Sequence, residues 1–191
     1  MSGRVETLRG ALADACAGQE EEPLVIAATT PDAVSHLAGL VARHGRERSR
    51  LPRDMSRGDG ASLGVGRARF VIAETGTAVV DLGTEEDQAG GTLLASHVVL
   101  AAGTRDVLDT LEAFYSRYSE ERTGGALGPR QALLTGGSRT ADIEKILVMP
   151  AHGPAAVTIL LVEGGLEWEA LVDALYERVG PTATGRGRGT S

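Results

Sequence analysis

A turn rich in glycine, hydroxyl groups and arginine is the stretch of this sequence best suited to chemistry. It follows the apolar run 131–134 and consists of Gly136, Gly137, Ser138, Arg139 and Thr140. A helical pattern follows it, so the sequence predicts a strand-to-helix turn whose converging backbone amides and helix dipole favour an anion. Ser138 or Thr140 can cap the helix, and Arg139 offers a planar fork that suits carboxylate or phosphate. The alternative is an ordinary capped helix start.

A second polar segment, from Glu74 to Thr77, separates the apolar runs 70–73 and 78–82. Glu74 arrives at a predicted strand end, where it can act as a nucleophile or a general base. Gly76 allows a turn or a close backbone approach. Together with Thr75 and Thr77 it forms a candidate ligand-binding segment. The alternative is that Glu74 satisfies nearby backbone donors or faces water.

Two histidines complete the set of candidate site residues. His97 stands at the mouth of the apolar run 97–102, and His152 begins a His-Gly-Pro segment. We expect Glu74 and His97 to face the same cleft as the glycine turn, because strand termini in open α/β sheets gather there. His152 is a further candidate member. The other two histidines, His36 and His44, fall on a predicted helix and are interpreted as surface residues, so no metal site is expected.

Hydrophobic patterning defines the elements that must position these residues. Continuous apolar runs at 24–28, 70–73, 97–102 and 156–162 predict strands covered on both faces. Helical spacing predicts helices at 5–16, 30–41, 104–115, 143–148 and 166–179. Strands separated by helices predict a single α/β domain over 1–180 with a mainly parallel sheet. The stretch 45–64 is predicted to be a loop, and 181–191 a disordered tail.

Composition excludes several classes of function. The 191 residues are 42% hydrophobic and carry a net charge of −7, which argues against a protein that binds duplex nucleic acid. Aromatic residues make up only 3%, so single strands find no stacking platform. One cysteine, Cys16, excludes an internal disulfide, a thiolate zinc site and an iron–sulfur cluster held by this chain alone. No apolar run of about 18 residues occurs, so we expect a cytoplasmic protein without membrane spans.

Four motifs in order resemble the lactate-utilisation protein C family, the stand-alone LUD-domain proteins. They are Ala73–Thr77, His97, Ser138–Glu144 and His152–Pro154, and the resemblance spans residues 64–163. It implies a three-layer α/β/α domain like those of phosphosugar isomerases and coenzyme A transferases. It also implies a role beside iron–sulfur partner proteins in oxidising L-lactate to pyruvate.

Three functions are compatible with these observations. In the first, the chain is an accessory component that binds a small carboxylate or phosphate and holds no cofactor, while iron–sulfur clusters belong to its partners. In the second, it is a coenzyme A transferase-like or isomerase-like enzyme that uses Glu74 as the catalytic residue. In the third, it is a small-anion sensor without chemistry. The resemblance favours the first.

Overall fold

The computed structural model describes residues 2–54, 60–81, 94–123, 131–137, 140–141, 147–148 and 153–181. The helices in these ranges are α1 (Ser2–Ala15), α2 (Thr30–His44), α3 (Leu111–Thr123) and α4 (Trp168–Val179), with 3-10 turns at Arg46–Arg48 and Thr104–Asp106. The strands are β1 (Leu24–Ala27), β2 (Ser49–Arg50), β3 (Leu63–Arg67), β4 (Phe70–Ile72), β5 (Thr77–Asp81), β6 (His97–Gly103), β7 (Val107–Leu108), β8 (Gln131–Thr135), β9 (Thr140–Ala141), β10 (Leu147–Val148) and β11 (Ala156–Val162).

A five-stranded parallel sheet in the order β1-β11-β6-β3-β2 forms the centre of the molecule. Every residue of β6 and of β11 is buried, as expected for strands covered on both faces. Helices α2 and α4 cover one face of this sheet, and α1 covers the other. The predicted α/β class with a mainly parallel central sheet is confirmed, and the arrangement is consistent with a three-layer α/β fold.

A second sheet, in the order β7-β4-β5-β8, was not anticipated from the sequence. Val71, Ala78 and Val80 of this sheet belong to the same core as α1 and the central sheet. Its opposite face packs against α3, where Phe70 meets Phe114. Burial of both faces explains why β4 and β5 have continuous apolar sequences rather than alternating ones.

Helix α1 fixes the positions of two turns. Gly76 has φ +65°, and a Cβ there would lie 3.1 Å from Leu12 Cδ2. Gly136 has φ +71°, and a Cβ there would clash with the carbonyl oxygen of Ala15 and lie 2.9 Å from its carbonyl carbon. Both positions therefore need glycine, because any side chain would displace the turn from the helix.

Several predicted elements differ in the structure. The helix predicted from Thr104 begins only at Leu111, because residues 107–108 instead pair with β4 as a parallel strand. The predicted loop 45–64 contains a 3-10 turn and β2, and its end enters β3, where glycines alternate with buried Leu63 and Val65. The helix predicted at 143–148 is wrong at its C-terminal end, because residues 147–148 form β10, which pairs antiparallel with β9.

Two predicted elements lie partly outside the described residues. They are the helix at 143–148, of which residues 143–146 lie outside, and the tail, which lies outside from residue 182 onward. Within the described ranges, no helix has both the length and the apolar character needed to cross a membrane.

Candidate functional site

The glycine turn adjoins the segment that contains Gly153 and Pro154. A Cβ on Gly137 would lie 2.5 Å from the carbonyl oxygen of Ala155 and 3.4 Å from that of Pro154. The Ala155 amide in turn donates to the carbonyl oxygen of Ser96 at 2.8 Å. The end of β8, the start of β11 and the start of β6 are therefore neighbours.

Not every member of the predicted anion site is described. Ser138, Arg139 and His152 lie outside the described residues, and Thr140 belongs to β9. Among the described residues, no acceptor is found for the Gly136 amide or for the Gly137 amide. These two amides are the candidate donors of the anion site in the described part of the turn.

A row of three threonine hydroxyls lies beside the turn. Thr77 Oγ1 is 2.7 Å from Thr75 Oγ1 and 2.6 Å from Thr135 Oγ1. Thr77 is buried, whereas Thr75 and Thr135 are exposed at the two ends of the row. Because each hydroxyl both donates and accepts, the row can reverse its direction to donate to an oxygen ligand at either end. Thr135, which immediately precedes Gly136, was not singled out from the sequence.

The Glu74 carboxylate binds the first residue of α3. Its Oε1 accepts from the Leu111 amide at 2.5 Å, and its own amide donates to the Asp109 carbonyl oxygen at 3.1 Å. A carboxylate at a helix N-terminus satisfies an unpaired amide and complements the dipole. The exposed Glu74 side chain therefore matches the alternative interpretation, in which it satisfies nearby backbone donors.

Glu74 and His97 have different neighbours. Asp109, beside Glu74, binds Arg4 of α1 at 2.7 Å. His97 instead lies close to Glu21, which follows the helix. Among the described residues, no hydrogen bond or ion pair joins the Glu74 carboxylate to His97 or to the glycine turn.

His97 is the first residue of β6, so it lies at the amino edge of the parallel sheet rather than at the carboxyl edge. Its Nε2 is 2.9 Å from Thr158 Oγ1, and its ring centroid is 5.6 Å from that of His44. Burial lowers the pKa of His97 to about 4; nearby Arg43 and the two neighbouring histidines act in the same direction, and Glu21 opposes them. His97 is therefore neutral near pH 7.

Comparison with known proteins identifies the family of this chain. A sequence profile of the LUD domain matches residues 52–162. The chain belongs to the LUD-domain family. That family is associated with lactate utilisation, and the membership confirms the resemblance that the four motifs indicated.

The fold comparison agrees. The crystal structure of a DUF162 family protein from Deinococcus radiodurans superposes with a TM-score of 0.56 at 16% sequence identity. The alignment covers 85% of this chain and 98% of that chain, so the two share a fold. No match was found among proteins of curated function.

The carboxyl edge of this LUD domain, where open α/β sheets place ligands, is closed between β6 and β11. A Cβ on Gly103 would lie 2.8 Å from both the Gly164 carbonyl oxygen and the Leu166 amide. Thr104 Oγ1 accepts from the Gly164 amide at 2.9 Å. Backbone atoms fill this position, whereas the buried polar residues His97 and Thr158 lie at and near the amino edge.

The LUD-domain match includes Glu74, His97 and the glycine turn but not two further residues that approach His97. Glu21 lies in the connection between α1 and β1, and His44 ends α2. In the sequence, His44 falls on a predicted helix and is interpreted as a surface residue. The predicted topology does indicate where His44 lies. A helix that follows β1 and packs on a parallel sheet returns the chain to the amino edge, which is where β6 begins.

Proposed function

We propose that this LUD-domain chain is the accessory component of a system that oxidises L-lactate to pyruvate with iron–sulfur partner proteins. Removing two electrons and two protons from lactate requires an electron acceptor. The one cysteine of the chain, Cys16, is 4% exposed and belongs to the hydrophobic core, so the chain lacks the thiolates that hold a cluster. The electrons therefore pass to clusters in the partners, and this chain contributes binding or coupling.

The ligand in this proposal is a small carboxylate or phosphate at the glycine turn. The observation that carries it is the pair of amides at Gly136 and Gly137, which have no acceptor among the described residues and lie against Ala15 and Ala155. Arg139 lies two residues after Gly137 in the sequence, and the row of threonines that ends at Thr135 adds hydroxyls. No helix dipole is invoked, because β9 follows the turn.

The expected affinity follows from the number of hydrogen bonds. Each charge-assisted hydrogen bond contributes roughly 1.5–3 kcal/mol, and immobilising the ligand opposes them. Two or three such bonds therefore support affinity in the micromolar-to-millimolar range. Arg139 contributes the one full positive charge of the turn, so its removal has a large effect.

Titration calorimetry with L-lactate and with inorganic phosphate tests the binding. Arg139→Ala is expected to weaken binding at least tenfold without changing the far-ultraviolet circular dichroism spectrum. Arg105→Ala is the matched control, because Arg105 is exposed beyond the other end of β6. Absence of binding to the wild-type chain, with or without partner proteins, contradicts the proposed ligand site.

Reconstitution tests the accessory role. The purified chain alone is expected not to reduce an artificial electron acceptor with L-lactate, and its addition to the iron–sulfur partners is expected to raise their rate. Glu74 receives no catalytic role here, because its carboxylate binds the Leu111 amide. Lactate oxidation by the isolated chain, or a full rate from the partners without it, contradicts the proposal.

A further inference from the structure

Three side chains from separate parts of the sequence meet at the amino edge of the central sheet. Glu21 precedes β1, His44 ends α2, and His97 begins β6. One potential ligand atom from each lies within 4.8 Å of the others. His97 is buried, whereas Glu21 and His44 are half-buried, so the group opens toward solvent on one side.

The hydrogen bonds of Thr158 fix the tautomer of His97. Thr158 Oγ1 lies 2.6 Å from the carbonyl oxygen of Glu22, which can only accept, so the single hydroxyl proton is donated there. Thr158 Oγ1 must then accept from His97 Nε2, which carries the ring proton at 2.9 Å. In the neutral ring this leaves the lone pair on Nδ1.

The Nδ1 atom of His97 is buried and has no hydrogen-bond partner. Its residue is only 4% exposed, so the unpaired acceptor carries a desolvation cost. An imidazole that donates one N–H to a fixed oxygen and keeps the other nitrogen free has the arrangement of a metal ligand.

We propose that Glu21, His44 and His97 bind a divalent transition-metal ion, and that Zn²⁺ fits the donor set best. Two imidazole nitrogens and one carboxylate match the ligands that Zn²⁺ accepts in proteins with three protein ligands. The fourth position of a tetrahedral ion is then open to water or to a small ligand. The site goes beyond the proposed lactate role and does not depend on it.

The site requires only a small rearrangement. Bonds of about 2.0–2.1 Å in a tetrahedral site place neighbouring ligand atoms roughly 3.3 Å apart. The three ligand atoms must therefore approach one another by up to about 1.5 Å from the observed 4.8 Å limit. His97 is held by Thr158, while Glu21 in a loop and His44 at a helix end are free to adjust.

Arg43 is the group that competes with the ion. Its Nη2 lies 3.6 Å from Glu21 Oε2, and the Arg43 side chain is 61% exposed. That separation exceeds a hydrogen bond, and exposed ion pairs of this kind are weak. A divalent ion with two imidazole ligands therefore displaces Arg43, which retains space to turn toward solvent.

From the sequence alone no metal is expected, because thiolate ligands are missing and His44 is interpreted as a surface residue. A site with two histidines and one carboxylate needs no cysteine. The fold brings these three ligands together because α2 ends, at His44, beside the edge of the sheet where β6 begins.

Metal titration of the full, tag-free chain tests the proposal. Calorimetry with Zn²⁺, and the visible absorption of Co²⁺ as a probe of four-coordination, are expected to show one ion per chain. His44→Ala and Glu21→Gln are each expected to weaken Zn²⁺ binding at least tenfold. His36→Ala is the matched control, since it removes a half-buried histidine of the same helix outside the trio, and is expected to change affinity less than twofold.

Histidine nitrogen resonances give a second readout that does not depend on a variant's stability. Addition of Zn²⁺ is expected to shift His97 Nδ1 to a metal-bound position, while Nε2 keeps its proton. Thr158→Val is expected to weaken Zn²⁺ binding about tenfold by releasing the ring. Absence of stoichiometric binding, an unchanged His97 Nδ1 resonance, or equal losses in His36→Ala and His44→Ala overturns the proposal. None of these results bears on lactate oxidation by the partners.

Discussion

Gly136 shows how a single residue type fixes the geometry of the candidate site. Its φ of +71° lies in the left-handed region, and its α-carbon faces the Ala15 carbonyl group without room for a side chain. Gly137 is equally restricted by Ala155. The close approach of two backbones therefore presents the two amides of the turn at one place, which is the physical basis of the proposed anion site.

Alanine substitutions at Gly136 and at Gly10 compare the effect of a Cβ on stability at a crowded turn and at an open helix position. Gly136→Ala is expected to destabilise the fold by about 2–4 kcal/mol, because overpacking adds to backbone strain. Gly10→Ala is the control: Gly10 is exposed within α1, and a Cβ there meets nothing within 4 Å. That change is expected to stabilise the fold by about 0.5–1 kcal/mol. Urea unfolding measures both, and equal midpoints for Gly136→Ala and wild type contradict the packing argument.

At the scale of single residues, sequence reasoning located positions better than roles. It placed His97 at a strand mouth and expected Gly76 to make a turn, and both positions are confirmed. It also expected His97 to share a cleft with Glu74, whereas His97 approaches Glu21 and His44. Those neighbours depend on the direction in which α2 packs, which no local spacing encodes.

Helix α3 is attached to the second sheet by aromatic packing and a cluster of ion pairs. Phe114 and Phe70 lie 6.1 Å apart between ring centroids. The Glu121 carboxylate binds Arg69 at 2.7 Å and Arg117 at 2.9 Å. These three charged groups line a cavity of about 250 Å³ in which Arg105 also takes part.

The pKa of Glu121 predicts how this attachment responds to acid. Burial raises the pKa, but the hydrogen bonds and charges of Arg69 and Arg117 outweigh it, so the net pKa is lowered from 4.5. When the pKa of a carboxyl group is lower in the folded state than in the unfolded state, its full stabilising effect is present at every pH above the unfolded-state pKa. That stabilisation is lost as the pH falls through the folded-state pKa, which for Glu121 lies below about 4.5.

Glu121→Gln tests this dependence. The variant is expected to be less stable than wild type at pH 7, and the difference is expected to shrink as the pH falls below about 4.5. Glu120→Gln, at an exposed position on the same helix, is the control and is expected to follow the wild-type curve. Chemical denaturation at a series of pH values measures the free energy of unfolding. Parallel curves for Glu121→Gln and wild type contradict the assignment.

At the scale of elements, long buried runs were predictable and short paired segments were not. The run 156–162 matches β11 at both ends, because seven consecutive apolar or hydroxyl residues fit a doubly covered strand. Strand β7 has only two residues, and its pairing with β4 interrupts what looked like one helix. In β3, Gly64 and Gly66 hid the strand, since glycine carries no hydrophobic signal. Tertiary pairing decided these elements against local propensity.

The whole molecule is organised around a core that α1 shares with both sheets. Leu8 and Leu12 are fully buried, and the same core contains Leu100 of the central sheet and Val71 of the second sheet. Sequence patterning predicted the central sheet, but not that the second sheet would lie across α1. Strands β7 and β8 are short or far along the chain from β4 and β5, so the sequence pattern gives no signal for these pairings. The two sheets are therefore expected to unfold together.

Leu12→Ala tests this coupling between the sheets. Truncation of a fully buried leucine costs about 2.7–5 kcal/mol when the cavity does not collapse. Because Leu12 also contacts the Gly76 turn, both sheets are expected to lose stability by the same amount. Trp168, the single tryptophan, reports on α4 and the central sheet by fluorescence, and amide hydrogen exchange in β4 and β5 reports on the second sheet.

Leu133→Ala is the matched control, because Leu133 lies on β8 of the second sheet with 47% of its surface exposed. Its effect on both probes is expected to stay within about 0.5–1 kcal/mol. If Leu12→Ala accelerates exchange in β4 and β5 but leaves the Trp168 unfolding midpoint unchanged, the sheets unfold separately and α1 does not couple them. A common shift of both probes means that the two sheets unfold as one cooperative unit. The Gly136 turn and the amino edge at His97 then belong to the same unit, because α1 contacts the Gly136 turn directly and the chain continues from α1 to Glu21, which lies close to His97.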